Sequence, residues 1–342
     1  MQLNAEKVRE IAKAKAEEQV ATNNTNKALE QAQYLENARQ IEHDSVYEAA
    51  THMFAPTGKS NIKDDFYTHF IHTKHDGTID AKHLEELLNT DESIGLVSVM
   101  YVNNETGAVN PINHIGEMCR ERGILFHTDC VQAAGCHAID TNLIGCDYAT
   151  ISGHKIYAPK GIGAIYIRDK SMARSLIYGG SNQEFGLRGG TENVASIVGL
   201  GKACDIICSD FGAQRVTVSL LKRLFYENVI SSLKEYGIDE RVHVNGASVG
   251  DVGKTLNLRI EDIDSETLLL MLDVKGVCIS AGSACHSHKS DPSRVLTSMG
   301  LSDDEARDSV RISFSSMNTP VEVEEAAEIF SACVKTLTGL QR

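Results

Sequence analysis

The chain has no apolar run long enough to cross a bilayer as a helix, so no membrane-spanning segment is expected. Its opening residues, Met1-Gln2-Leu3-Asn4-Ala5-Glu6-Lys7, hold no apolar stretch of the secretory-signal kind, and the sequence reads as cytoplasmic. It also has no CxxC pair. Its nine cysteines are scattered and odd in number, which argues against a disulfide framework and fits reduced thiols. A basic excess is missing too. The formal net charge of -14 works against non-specific nucleic-acid binding, which needs cationic side chains to displace counterions.

What is present is an ordinary globular composition: 342 residues, 42% apolar and 23% charged, enough to bury a large core in one or two domains. The first forty residues are polar, with only a weak helical stripe at Val8, Ile11 and Ala12. His69, His72 and His75 read as part of a solvated loop, because no acidic or thiol ligand is suitably spaced to complete a metal site. A helix is predicted over Ala81 to Leu88.

From Leu96 the pattern changes. Leu96 to Val102, Ile124 to Thr128, Tyr148 to Ile151 and Gly163 to Ile167 read as strands, with a helix from Ile112 to Arg122 between the first two. That alternation predicts an α/β fold with a mainly parallel sheet flanked by helices. Helices follow near Glu192 to Cys208 and Val216 to Tyr236, and strand-like Thr255 to Ile260 opens a smaller α+β region. Ser302 to Glu305 and Thr319 to Glu322 have capping-box spacing, the second with Pro320 at the first helical position. The expected division is a large domain over 1-208 and a small C-terminal domain over 209-342.

The chemistry-bearing stretches lie at strand ends. Ser152-Gly153-His154-Lys155 follows a predicted strand and joins hydroxyl, backbone and imidazole donors to a lysine, a set suited to a phosphate-bearing cofactor held by that lysine. Read alone, it is better taken as a loop lysine beside a packed histidine. Asp129, in His127-Thr128-Asp129-Cys130-Val131-Gln132, puts a carboxylate at a strand C-terminus, the usual ligand edge of an open α/β sheet. On its own it reads as a cap or turn residue. Asn103-Asn104-Glu105-Thr106-Gly107 has the composition of a turn.

Together with Leu187-Arg188-Gly189-Gly190-Thr191-Glu192-Asn193 and Ser280-Ala281-Gly282-Ser283-Ala284-Cys285, these stretches closely resemble the cysteine desulfurase family of fold-type I pyridoxal-phosphate enzymes. The resemblance runs from about Gly77 to Leu337. It implies a homodimer in which Lys155 carries pyridoxal 5'-phosphate, Asp129 pairs with the ring nitrogen, and Gln132 and Asn104 reach the ring hydroxyl. Ser152 and His154 would bind the phosphate, and Thr191 would reach the phosphate of the partner subunit. Arg311 would clamp the substrate carboxylate with Asn104 beside it; without the resemblance it reads as a strand-edge surface residue. Cys285, in a loop of small and polar residues with His286, His288 and Lys289, would take sulfur from L-cysteine as a persulfide and pass it to an acceptor such as an iron–sulfur scaffold.

The N-terminal part diverges from the family pattern, and a leading segment is expected to be missing. The nearest counterpart of the family's N-terminal phosphate loop is Val20-Ala21-Thr22-Asn23-Asn24, which lacks its glycine and acidic residue. Thr22 is the phosphate-ligand candidate there. His43, in Ile41-Glu42-His43-Asp44, matches the histidine that stacks on the ring and shuttles protons. Two alternatives accompany the desulfurase reading: a selenocysteine lyase, and a truncated, catalytically impaired homologue acting as a binding partner.

Overall fold

A computed structural model describes residues 42–54, 68–180, 182–281 and 292–340. Thr22, Cys285 and the polar first forty residues lie outside the described residues.

Helix α1 (Asp44–Phe54) precedes α2 (Ala81–Thr90), whose N-cap Asp80 accepts from the Lys82 amide and whose Leu84 and Leu88 are buried. The first sheet follows: β1 (Leu96–Ser98), β2 (Leu125–Asp129), β3 (Tyr148–Ser152) and β4 (Gly163–Ile167), side by side in that order. β1, β2 and β3 are parallel, and β4 returns antiparallel to β3. The strand predicted from Leu96 to Val102 is regular only to Ser98. Beyond it Val99 and Tyr101 still donate to His127 and Asp129 carbonyls, and Val102 bridges Val109.

The parallel strands are joined by α3 (Ile112–Arg122) and the single turn α4 (Thr141–Ile144). The core of this layer gathers Val97, Val99, Ile115, Phe126 and Ile144, all nearly inaccessible to water.

The second sheet is antiparallel, in the order β5 (Val242–Asn245), β6 (Thr255–Ile260), β8 (Ser309–Ser313), β7 (Ser280–Ala281). Helices α6 (Phe211–Lys234), α7 (Ser265–Val274) and α10 (Pro320–Leu340) supply Phe225, Leu268, Leu272 and Phe330 to one core with Leu256, Leu258 and Val310 of the strands. Short helices α8 (Arg294–Ser298) and α9 (Asp303–Arg307) precede β8, and the Ser302–Glu305 capping box closes in both directions at α9. At α10 the Thr319 amide donates to Glu322 Oε2 and the Glu322 amide to Thr319 Oγ1, as the spacing predicts.

Helix α5 (Val194–Ser209) connects the two parts and packs Ala203 and Ile207 against Ala134, Ile156 and Ala158. Among the described residues no helix is long and apolar enough to cross a membrane, and no cluster of His, Cys, Asp and Glu is arranged to hold a metal ion.

Candidate active site

Parallel pairing of β2 with β3 sets Asp129 opposite Thr150, so Asp129 and the segment after Ser152 leave the sheet at the same C-terminal edge. The chain then turns through a short 3-10 helix, Gly153–Ile156, which carries His154 and Lys155. This turn is tight. The Gly153 amide donates to the Ile162 carbonyl at 2.9 Å, and a Cβ on Gly153 would fall 2.9 Å from Ile162 Cγ2. Tyr157 ends the turn in the left-handed region at φ 67 and bonds Ser315 Oγ through its hydroxyl at 3.0 Å. Such a conformation persists in a non-glycine residue only where its surroundings hold it, and here it fixes the chain just past Lys155.

Asp129 is buried at 5% exposure, and its Oδ1 accepts the Val131 amide at 2.8 Å. Burial pushes its carboxyl up, against the pull of that hydrogen bond and of His127 and His43 nearby. His43 precedes α1 and accepts the Ser45 amide at Nδ1, 3.2 Å away. Gln132 is buried on the turn after β2. Ser152 Oγ and His154 Nδ1 are 2.8 Å apart, with the imidazole exposed; burial and the cations of Lys155, Lys160 and Lys254 hold it below the usual histidine range.

Asn104 is buried in the turn after β1. There Asn103 Oδ1 accepts from the Glu105 and Thr106 amides, and Gly107 takes φ +72, where a side chain would be strained. The second sheet grips this turn by its carbonyls. Arg311 Nη1 donates to Asn104 O at 3.1 Å, Asn257 Nδ2 to Glu105 O at 3.2 Å, and the Ala247 amide to Thr106 O at 3.1 Å.

Arg311 corrects its own sequence reading. β8 is paired on both sides, so Arg311 is a half-buried residue inside a sheet, and its Nη2 reaches Ser280 Oγ at 3.4 Å. β7 ends at Ala281, beside Arg311, and leads into the undescribed stretch that contains Cys285. Thr191 is exposed.

Two residues here went unassigned from sequence. Glu42 Oε1 accepts the Met100 amide at 2.6 Å while its buried Oε2 meets no hydrogen-bond partner among the described residues. Burial, opposed by the Met100 hydrogen bond and aided by the Asp129 charge, pushes its carboxyl up to about 8. Adjacency to His43 was the only signal for it. Lys254 donates from Nζ to the Lys155 carbonyl at 3.1 Å, and burial lowers its pKa, with the Lys155 charge adding to the effect. Nothing in the strand-like pattern around it marked that lysine.

The donor set fits pyridoxal phosphate. A buried carboxyl with a raised pKa is stabilised as the anion when a cationic ring nitrogen faces it. A hydroxyl and an imidazole suit phosphate oxygens, and a lysine at the same sheet edge suits an aldehyde carbon.

Comparison with known proteins places the chain in a family. The sequence profile of the family described as Aminotransferase class-V matches residues 1–325. Cysteine desulfurase IscS of Clostridium botulinum (strain Hall) is 37% identical over 288 residues, 83% of this chain and 70% of that protein. Cysteine desulfurase IscS of Pseudomonas entomophila is 36% identical over 302 residues, 88% of this chain and 70% of that one. Among solved structures, the NifS-like protein from Rickettsia africae superposes with a TM-score of 0.72 at 32% identity, covering 86% of this chain and 74% of its own. A structure of SspA in complex with cysteine gives 0.62 at 33% identity, covering 82% and 73%.

Proposed function

Because the chain belongs to the aminotransferase class-V family, among its pyridoxal-phosphate-dependent cysteine desulfurases, we propose that it converts L-cysteine to L-alanine and moves the sulfur onto Cys285. The observation that carries the residue assignment is the parallel β2–β3 pair, which brings Asp129 and the Lys155 turn out at one edge. Bound pyridoxal phosphate supplies an aldehyde for the substrate amine and a ring that accepts electrons.

Each residue then has a definite task. Lys155 would hold the cofactor and, with its amine free, would move a proton at the substrate α-carbon. The Asp129 carboxylate would pair with the ring nitrogen, and His43 would stack on the ring and shuttle protons. Gln132 and Asn104 orient the ring hydroxyl. Ser152 and His154 bind phosphate, with Thr191 of a partner subunit in a homodimer and Thr22 as a further ligand. Arg311 receives the substrate carboxylate as a charge-assisted pair, Asn104 lying beside it. The Cys285 thiolate attacks the substrate sulfur. The S–S bond forms as the substrate Cβ–S bond breaks, and the carbon fragment leaves as alanine after protonation.

The proposal places the enzyme in the cytoplasm, with residues 1-208 as the cofactor domain and 209-342 as the smaller one. Its persulfide goes to an acceptor protein such as an iron–sulfur scaffold. The test is product analysis: the protein with pyridoxal phosphate, L-cysteine and a thiol reductant should release alanine and sulfide in equal amounts, and Cys285→Ser should release neither. Equal turnover by the Cys285→Ser variant would remove Cys285 from the mechanism.

A further inference from the structure

Ser293 and Arg294, the two residues that open α8, reach two different parts of the candidate site. Ser293 Oγ accepts the Leu296 amide at 3.3 Å and donates its own proton to Glu105 Oε2. Glu105 is buried in the turn after β1, next to Asn104. Arg294 turns the other way. Its Nη2 pairs with Asp44 Oδ1, 250 positions away in sequence, and its guanidinium lies 4.6 Å from the centroid of the Tyr47 ring.

Asp44 and Tyr47 are three residues apart at the start of α1, so they share a face and one guanidinium can meet both. A planar, delocalised cation suits that pair, with N–H edges for the carboxylate and a face for the ring. The Tyr47 ring has Phe70 beyond it, the two centroids 6.1 Å apart. A freely exposed ion pair would contribute little. Here the Arg294 and Asp44 side chains are only 32% and 27% exposed, and the ring contact adds to the charge. The helix that presents Arg294 is itself well seated, with Val295 and Leu296 buried against Met299 and Ala306.

His43 immediately precedes Asp44 and lies within electrostatic range of Asp129. We propose that Arg294, paired with Asp44 and seated on Tyr47, is a positioning residue that holds His43 at the edge carrying Asp129, while Ser293 ties the same helix start to the Asn104 turn. The proposal rests on the reading of His43 as the residue that stacks on the cofactor ring. Arg294 acts through Asp44 and Tyr47, and the clasp sets where the histidine stands relative to the turn that carries Asn104.

The test compares the holoenzyme with Arg294→Gln, Asp44→Asn and the double variant. In the parent His43 is shielded against the ring. Its carbethoxylation, read by peptide mass spectrometry without cysteine present, should quicken roughly threefold or more in each single variant, and the double variant should be no faster than either. With L-cysteine, kcat should fall by a similar factor at unchanged KM, because His43 moves a proton whereas Arg311 holds the carboxylate. Parental His43 labelling in Arg294→Gln, effects that add in the double variant, or a loss confined to KM would each overturn the proposal. Cysteine turnover by the parent tests the reading beneath it, and the labelling needs no turnover, so the two can fail separately.

Discussion

Arg311 Nη1 and the main-chain carbonyl of Asn104 are joined by a 3.1 Å hydrogen bond between residues 207 positions apart in sequence. This contact ties the antiparallel sheet to the turn after β1 and fixes where the guanidinium stands relative to the edge that carries Asp129. If that guanidinium also receives the substrate carboxylate, Arg311→Lys keeps the charge but loses the fork. KM for L-cysteine should then rise roughly tenfold to a hundredfold, the worth of a charge-assisted hydrogen bond, with a smaller change in kcat. A fall in kcat at constant KM would place Arg311 in a structural role only.

Asp129→Asn keeps the shape and the Val131 hydrogen bond but cannot stabilise a cationic ring nitrogen. Cofactor retention on gel filtration should fall and turnover should drop by about a hundredfold or more, while the thermal transition of the cofactor-free protein changes little. A variant with parental turnover would separate Asp129 from the chemistry.

Glu42 gives a pH dependence with a definite sign. Its folded-state pKa, raised from 4.5 to about 8, means that between those values the folded chain holds a proton that the unfolded chain has released. The contribution to stability is therefore whole below about 4.5, declines through the window, and is gone above about 8. The cofactor-free protein should lose on the order of a few kcal/mol of stability from this group between pH 5 and 8, and Glu42→Gln should flatten the profile. Parallel denaturation profiles for the two proteins would refute the assignment.

Thiol reactivity should sort by environment. Burial pushes Cys119 up to about 11 and Cys130 up to about 12, whereas Cys208 and Cys278 are exposed. Alkylation of the native protein at pH 8, read by peptide mass spectrometry, should mark Cys208 and Cys278. Cys119 and Cys130 should remain unmodified until the chain unfolds. Labelling of Cys130 at the rate of Cys278 would contradict its burial beside Asp129.

Much of the first sheet could be read in the residues because its strands are short apolar runs with clear breakers. Gly163–Ile167 and Ile112–Arg122 fall where the pattern puts them. The antiparallel return of β4 could not be read, since a strand's apolar content does not reveal its direction. β5 and β7 were missed for a related reason. Val242–Asn245 is half polar, and Ser280–Ala281 is a two-residue pairing that exists only because β8 lies beside it. Arg311 looked like a surface residue because no local signal shows that both neighbours of a strand are occupied. Lys155 and Asp129 were legible as chemistry through the family's motifs, while their shared sheet edge needed the β2–β3 register. Nothing in the sequence marks Lys222 as buried, because burial of a lysine on an amphipathic helix depends on what packs over it.

The central claim, that Lys155 holds the cofactor, is open to one direct measurement. Lys254 stands beside it with its pKa lowered by burial, so a second lysine competes for the role. Borohydride reduction of the protein loaded with pyridoxal phosphate fixes the cofactor to the amine that carries it, and peptide mass spectrometry identifies that residue. The account predicts the added mass on Lys155 alone, with no labelling in Lys155→Ala. Labelling of Lys254 instead, or of no lysine, would contradict it.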